Sequence, residues 1–153
     1  MTHIKYADRA DPDFISLCSR LDDYLDDLAA KIGITDRSEY IPHNRPDELE
    51  AVFVAYEGGI PVGCAAFKNL SPDTAEVKRV FVAEEYRGRR IGELLMSALE
   101  NKAISVGYRF LVLETGEPLT AAIKLYARIG FGIIENYGPY VGMPHSTCMK
   151  KPL

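Results

Sequence analysis

Arg87-Gly88-Arg89-Arg90-Ile91-Gly92 lies between an apolar strand candidate, Val77 to Val82, and an amphipathic helix candidate, Ile91 to Ile104. A glycine-containing turn that feeds a helix N-terminus presents unpaired backbone N–H groups and the positive end of the helix dipole, and both attract phosphate. Gly88 and Gly92 let a ligand come close to the backbone, while Arg87, Arg89 and Arg90 supply charge in a geometry that grips oxygens in pairs. The reading is a pyrophosphate cradle; the alternative is a solvated basic loop that caps a helix. The stretch lacks the Gly-Lys-Ser/Thr ending of a triphosphatase loop and the three-glycine spacing of a dinucleotide-binding turn, so neither of those folds is indicated.

With 153 residues, the chain reads as one domain spanning 1–153, long enough to bury a core without staples. Apolar residues at 47% and charged residues at 26% are ordinary for a globular protein. A formal net charge of −4 argues against nucleic acid as a partner and makes the three arginines a local feature. Cys18, Cys64 and Cys148 are odd in number, far apart in sequence and in apolar surroundings, which predicts buried free thiols in a reducing compartment. The histidines are equally scattered, so no metal is implied. No apolar run has signal-peptide or membrane-span length, and a cytoplasmic protein without a membrane partner is the default expectation.

In chain order, His3 to Tyr6 suits an edge strand. Asp11 and Pro12 read as a helix start, and Phe14, Leu17, Cys18, Leu21, Leu25, Leu28, Ala29 and Ile32 then form one helical face that Gly33 ends. The stretch Thr35 to Pro46 suits a lid or pocket wall, a second short helix with its loop, or both at once. Ala51 to Tyr56 and Ile60 to Phe67 make a hairpin across Glu57-Gly58-Gly59, and Ala75 to Val82 extends it to a three-strand antiparallel meander after Ser71-Pro72-Asp73. The helix from Ile91 buries Ile91, Leu94, Leu95, Ala98 and Leu99 and closes near Gly107. It leads to an apolar strand, Arg109 to Glu114, that a strand–helix–strand crossover makes parallel to Val77 to Val82. A short helix, Thr120 to Ile129, and strands near Phe131 to Glu135 and Ser146 to Lys150 follow, the last two separated by a turn-rich loop from Tyr137.

Four pieces of this order carry a resemblance. Glu76-Val-Lys-Arg-Val-Phe-Val82, Arg87-Gly-Arg-Arg-Ile-Gly92, Leu113-Glu-Thr-Gly116 and Leu125-Tyr-Ala-Arg-Ile-Gly-Phe131 resemble, in order and spacing, the motifs of the GCN5-related N-acetyltransferase (GNAT) family. The Tyr137-Gly-Pro-Tyr140 loop with Ser146, Cys148, Lys151 and Leu153 is similar to a bacterial branch of small acetyltransferases. Two positions depart from the pattern: Arg90 stands where the family often has glycine, and Leu119 where many members have an asparagine that contacts the cofactor arm. The resemblance implies an α/β fold of mixed α+β character. Its central sheet would have about six or seven strands, with an antiparallel meander, a splayed parallel pair and about four flanking helices.

The resemblance also implies chemistry. Acetyl-CoA would be the co-substrate, its pyrophosphate on residues 87 to 92 and its pantetheine arm along Val80, Phe81 and Val82, with a backbone N–H near Val82 or Val80 polarising the thioester carbonyl. An amine of pKa about 10.4 is protonated at neutral pH and must lose a proton before it attacks. Glu76 matches the family base, acting directly or through water; the alternative is a strand-end carboxylate paired with Lys78 or an arginine. Glu114 is the second candidate. Tyr126 matches the tyrosine beside the leaving sulfur, where its phenol, protonated at neutral pH, would act as general acid toward the thiolate; without the family it would read as core packing. Arg37, Tyr40 and His43 from the early loop and Tyr137 and Tyr140 from the late one are candidates for the acceptor pocket, where an arginine suits a carboxylate.

The leading reading is an N-acetyltransferase acting on a primary amine, a small molecule in preference to a peptide if residues 35–46 and 137–146 close over the site. A non-catalytic acyl-CoA-binding sensor or interaction module is the alternative, and it needs neither Tyr126 nor Glu76. Family resemblance also raises a homodimer through the C-terminal strands.

Overall fold

The structure is a computed structural model, and it describes residues 1–33, 48–116 and 120–153. The expected helix or lid within 35–46, the candidates Arg37, Tyr40 and His43, and Leu119 lie outside the described residues. Seven strands alternate with three α-helices among those described: β1 (Thr2–Ala7), α1 (Pro12–Lys31), β2 (Leu49–Glu57), β3 (Ile60–Ser71), β4 (Thr74–Val82), α2 (Ile91–Ser105), β5 (Phe110–Gly116), α3 (Thr120–Arg128), β6 (Gly132–Ile134) and β7 (Ser146–Pro152). About four helices were expected, and the described residues hold three. The strands form one sheet in the order β1-β2-β3-β4-β5-β7-β6, with β1 at an edge as its short polar sequence suggests.

Local sequence accounts for most of the boundaries. Asp11 caps α1 by accepting from the N–H groups of Asp13 at 2.9 Å and Phe14 at 3.2 Å, and Pro12 occupies the first turn, where no donor is needed. Gly58 and Gly59, both at positive φ (56° and 82°), supply the tight turn that joins β2 to β3. β2 and β3 are apolar on both sides because both faces are covered. Ala51, Phe53 and Ala55 meet α2, while Val52 and Val54 meet α1 with Phe14, Leu17 and Leu21. On α2 the buried stripe is Ile91, Leu95, Met96, Leu99 and Ala103, and Leu94, expected inside, is 45% exposed. The helix is turned so that the i, i+4, i+8, i+12 row faces the sheet, which brings Ala103 inward and Leu94 outward. Cys64 and Cys148 are buried as expected, whereas Cys18 is only half-buried because it lies at the flank of the α1 stripe.

Two irregularities in β4 break the regularity of the sheet at its centre. Against β3, Cys64 pairs with Phe81 and Ala66 with Lys78, so two residues of β3 are matched by three of β4. The extra residue is a β-bulge, and Arg79 within it has a left-handed backbone at φ 58°. Against β5 the pairing is parallel, as the crossover through α2 requires, but it runs only from Thr74↔Phe110 to Glu76↔Val112 and then stops. Past Glu76 the two strands diverge.

A left-handed arginine costs about 1–2 kcal/mol relative to ordinary strand backbone. It is held by its own side chain, whose Nη2 donates to the Cys18 carbonyl at 2.8 Å and to Asp22 at 2.9 Å on α1. Both Arg79→Ala and Arg79→Gly lose that anchor, but only glycine escapes the backbone penalty. Urea unfolding should therefore rank Arg79→Gly about 1 kcal/mol above Arg79→Ala, the reverse of the order expected in a regular strand. The ordinary order, alanine above glycine, would show that the bulge is not under this constraint.

Candidate functional site

The divergence of β4 and β5 opens a cleft of about 760 Å³ that runs from the turn at residues 87–92 into the sheet. β4 and β5 form two walls, α1 with Leu21, Tyr24 and Leu25 a third, and the start of α2 with α3 the fourth. The cleft is a direct result of chain pairing. Where the β4–β5 ladder ends, backbone groups on the facing edges have no strand partner among the described residues.

The turn at its mouth has the conformation its glycines suggest. Gly88 lies at φ 82° and Arg90 at φ 62°, and Arg90, the N-cap of α2, makes no side-chain cap hydrogen bond to the helix's first N–H groups. Those groups are the open donors of a helix N-terminus. Arg90 adopts the backbone that glycine takes most easily, so the departure from the family pattern changes the side chain and keeps the shape. Arg87 fastens the turn to the strand, its Nε donating to the Val82 carbonyl at 2.9 Å and its guanidinium stacking 4.5 Å from the centre of the Tyr24 ring. Arg87, Gly88, Arg90, Ile91 and Gly92 line the cleft, as do Val80, Phe81 and Val82 of β4. Arg89 instead lies over Tyr86, 5.0 Å from its ring centre, and is not part of the wall. A side chain at Gly92 would put a Cβ 3.1 Å from Leu125 of α3, so glycine there lets α3 pack close to the turn. Arg128 of α3 donates to Glu93 of α2 at 2.7 Å and joins the two helices beside the opening.

Deeper in, Tyr126 projects from α3 onto the cleft wall, 6% exposed and edge-on to Phe131. Burial pushes its phenol pKa well above the ordinary value, so it stays protonated and able to donate. The two carboxylate candidates sit differently. Glu114 of β5 is on the wall. Glu76 is 3% exposed and lies behind the wall, where Tyr137 donates to its Oε2 at 2.5 Å and the Lys78 ammonium stands 3.4 Å from its Oε1. The buried Lys78, which does reach the cleft, also donates to Tyr140 at 2.6 Å.

Tyr137 and Tyr140 thus press the loop between β6 and β7 onto the α1 side of the sheet and do not line the cleft themselves. The loop is tied together by Asn136, whose Nδ2 donates to the carbonyls of Tyr140, Met143 and Ser146 at 3.1, 3.2 and 3.1 Å. Burial together with the Glu76 charge raises the Tyr137 pKa far above the usual phenol range.

Of the sequence candidates, the cleft gathers Tyr126, Glu114 and the 80–82 and 87–92 groups apart from Arg89, and it leaves Glu76, Tyr137 and Tyr140 in an adjoining buried cluster. Sequence reading passed over Lys78 as a cleft residue, the α1 wall around Tyr24, His145 and Thr115. The bulge at Arg79 gave no signal, because arginine is not a residue that announces a left-handed backbone. Among the described residues no group of three His, Cys, Asp or Glu is arranged to hold a metal, and no helix is long and apolar enough to cross a membrane.

The chain matches the Acetyltransferase (GNAT) family over residues 17–131. An IAA acetyltransferase of Azospirillum brasilense is 37% identical over 142 residues, which is 91% of this chain and 90% of that protein. A Klebsiella pneumoniae structure provisionally described as an acyl-CoA N-acyltransferase is similar with a TM-score of 0.82 at 31% identity, over 100% of this chain and 98% of that one. A GNAT acetyltransferase of Elizabethkingia anophelis, crystallised with acetyl-CoA bound, shares the fold at a TM-score of 0.73 and 20% identity, over 99% of this chain and 98% of that one.

Burial holds the Lys78 pKa below its ordinary value against the opposing pull of Glu76. Between the folded pKa and the unfolded one near 10.4, the unfolded chain binds more protons, so the contribution of Lys78 to stability rises with pH across that window. The unfolding free energy of the wild type minus that of Lys78→Met, measured by urea from pH 7 to 10.5, should climb with pH. A flat or falling difference would mean that burial does not dominate at this lysine.

Proposed function

Because the chain belongs to the acetyltransferase (GNAT) family, we propose that it transfers the acetyl group of acetyl-CoA to a primary amine, that of a small molecule in preference to a peptide. The observation that carries this reading is the gap past Glu76, where β4 and β5 part beside an uncapped helix N-terminus. A ligand with a pyrophosphate at one end and an amide-bearing arm fits that pattern. Open N–H donors and the side chains of Arg87 and Arg90 face the anionic end, and the unpaired edges of two strands face the arm. Gly92, with α3 packed close, leaves the turn no side chain to obstruct the approach.

When bound, acetyl-CoA supplies an acetyl group activated as a thioester. The protein's share is binding, orientation and proton handling. A backbone N–H of Val80 or Val82 donates to the carbonyl oxygen that gains charge. Glu114, on the cleft wall, takes the proton that the acceptor ammonium must lose, directly or through water. Glu76 is the second base candidate; because it already holds Tyr137 and Lys78, it suits a role in fixing the charge around that base. Tyr126 donates a hydrogen bond to the leaving sulfur. As the nitrogen–carbonyl bond forms and the carbon–sulfur bond breaks, the second proton shed by the nitrogen passes to the leaving sulfur beside the Tyr126 hydroxyl, whose raised pKa keeps it a phenol before and after the transfer. The loop pressed down by Tyr137 and Tyr140 narrows the α1 side of the sheet, which supports a small acceptor over a polypeptide.

Free thiols at all three cysteines accord with a cytoplasmic protein, and one domain covering 1–153 with a homodimer through the C-terminal strands completes the reading. Ile133, 69% exposed on the edge strand β6, supports that dimer; a monomer in sedimentation equilibrium at micromolar concentration would oppose it.

The principal experiment is acetyl-CoA binding by calorimetry, followed by thiol release over a panel of small amines, amino acids and lysine-bearing peptides. Binding with turnover on small amines is expected, and absence of binding would overturn the reading. Tyr126→Phe should lower kcat about 10²-fold with acetyl-CoA affinity within about twofold of wild type, and Glu114→Gln should lower kcat/KM by about 10²-fold or more. A Glu114→Gln enzyme with wild-type turnover would move the base to Glu76 or to water.

A further inference from the structure

Buried polar groups in folded proteins almost always find a hydrogen-bond partner, because leaving one unmade costs most of its desolvation. Two buried side-chain oxygens stand out among the described residues, Glu100 Oε1 and Thr115 Oγ1. Glu100 is accounted for by the ammonium of Lys151, which lies against that oxygen as an ion pair. Thr115 has no such partner. It is 5% exposed, it sits on β5 beyond the last residue paired with β4, and it is part of the cleft wall.

Its position limits what it can meet. Leu111 and Leu113 point into the core on the α2 side with Tyr126, and strand alternation puts Thr115 on that same side, one residue past Glu114. Its backbone is committed to β7, opposite Thr147. The side chain is therefore a fixed donor and acceptor on the wall of the cleft, displaced from solvent and without a mate among the described residues. A valine would have filled the same volume among these apolar neighbours without that cost. A hydroxyl kept under such conditions is explained by a partner that arrives with the ligand.

We propose that Thr115 is a ligand-binding residue whose hydroxyl hydrogen-bonds the amide-bearing arm of the acyl-CoA donor, between the turn and the thioester. The inference rests on the acyl-CoA reading above, and it assigns the α3 side of the cleft to the arm and the Glu114 side to the acceptor. The hydroxyl acts on binding and takes no part in proton transfer. It also makes the ligand-free protein less stable than it would be with an apolar residue in its place, so binding and stability should move in opposite directions on substitution.

The test compares wild type, Thr115→Val and Thr115→Ser by calorimetry with two probes, coenzyme A and 3′,5′-adenosine diphosphate, which lacks the arm, and by urea unfolding without ligand. Thr115→Val should bind coenzyme A about three- to ten-fold more weakly, bind the nucleotide probe as the wild type does, and unfold at the same or higher urea. Thr115→Ser, which keeps the hydroxyl, should bind coenzyme A within about twofold of wild type. Equal coenzyme A affinity in wild type and Thr115→Val would overturn the proposal, as would equal weakening for both probes or a valine variant that unfolds at lower urea. Wild type that fails to bind coenzyme A at all would instead overturn the acyl-CoA reading itself.

Discussion

One left-handed residue, Arg79, divides β4 into halves of opposite parity. Before it, Ala75 and Val77 face α2 while Glu76 and Lys78 face away; after it, Phe81 has joined the α1 core and Val80 and Val82 pack on the α2 side. Without the bulge, strict alternation would keep the odd-numbered residues on the α2 side, and the aromatic ring of Phe81 would leave the pocket it shares with Tyr24 and Arg87. The bulge also bends β4, and the separation from β5 comes within a few residues of it. The constraint is maintained from three sides. The guanidinium grips α1, the Arg79 carbonyl accepts from the Cys64 thiol at 3.3 Å, and Gly63 allows the Phe81 carbonyl to pass 2.9 Å from where a Cβ would stand.

The cost of this arrangement is concentrated in a few buried charges. Lys78 and Glu76 are both nearly inaccessible, and a buried ion pair commonly returns little more than it loses in desolvation. Two tyrosines complete the set, one donating to the carboxylate and the other accepting from the ammonium. Such a network fixes geometry more than it adds stability, since any member that moves leaves another unpaired. It lies immediately behind Glu114, so the field at that carboxylate is set by groups that cannot reorient with solvent. On the proposed acetyltransferase reading, the surroundings of the acceptor amine are thereby set before a substrate enters.

Much of this was legible in the sequence. The helix start at Asp11-Pro12, the Gly58-Gly59 hairpin, the meander, the crossover and the glycine turn each depend on local chemistry, and each appears where its residues indicate. Tyr126 was recoverable because a motif fixes its distance from the turn and from Phe131. What could not be read depends on long-range pairing. The face that Leu94 or Met96 presents is decided by how α2 rotates on the sheet, and the retreat of Glu76 behind the wall is decided by a tyrosine 61 residues away. Charge alone distinguishes none of Arg87, Arg89 and Arg90 in the sequence, and the contacts with Tyr24 and Tyr86 separate the directions of the first two. The unpartnered hydroxyl of Thr115 has no sequence signature at all, for threonine is common in strands and its missing partner is a property of the packed interior.

The early end of the β4–β5 ladder has a thermodynamic meaning as well as a spatial one. A sheet with an internal seam is divided into two parts, β1 to β4 and β5 to β7, whose ladder holds three residue pairs and which are otherwise joined by the helices that span them and by the β6–β7 loop bonded to Glu76 and Lys78. On the acyl-CoA reading, the arm of the donor lies in that seam and serves as a removable strand. Occupancy then adds stability as the logarithm of donor concentration over its dissociation constant, about 2.7 kcal/mol at a hundredfold excess. The working lifetime of the protein against unfolding and proteolysis becomes coupled to the supply of the metabolite it consumes, with no regulatory domain required.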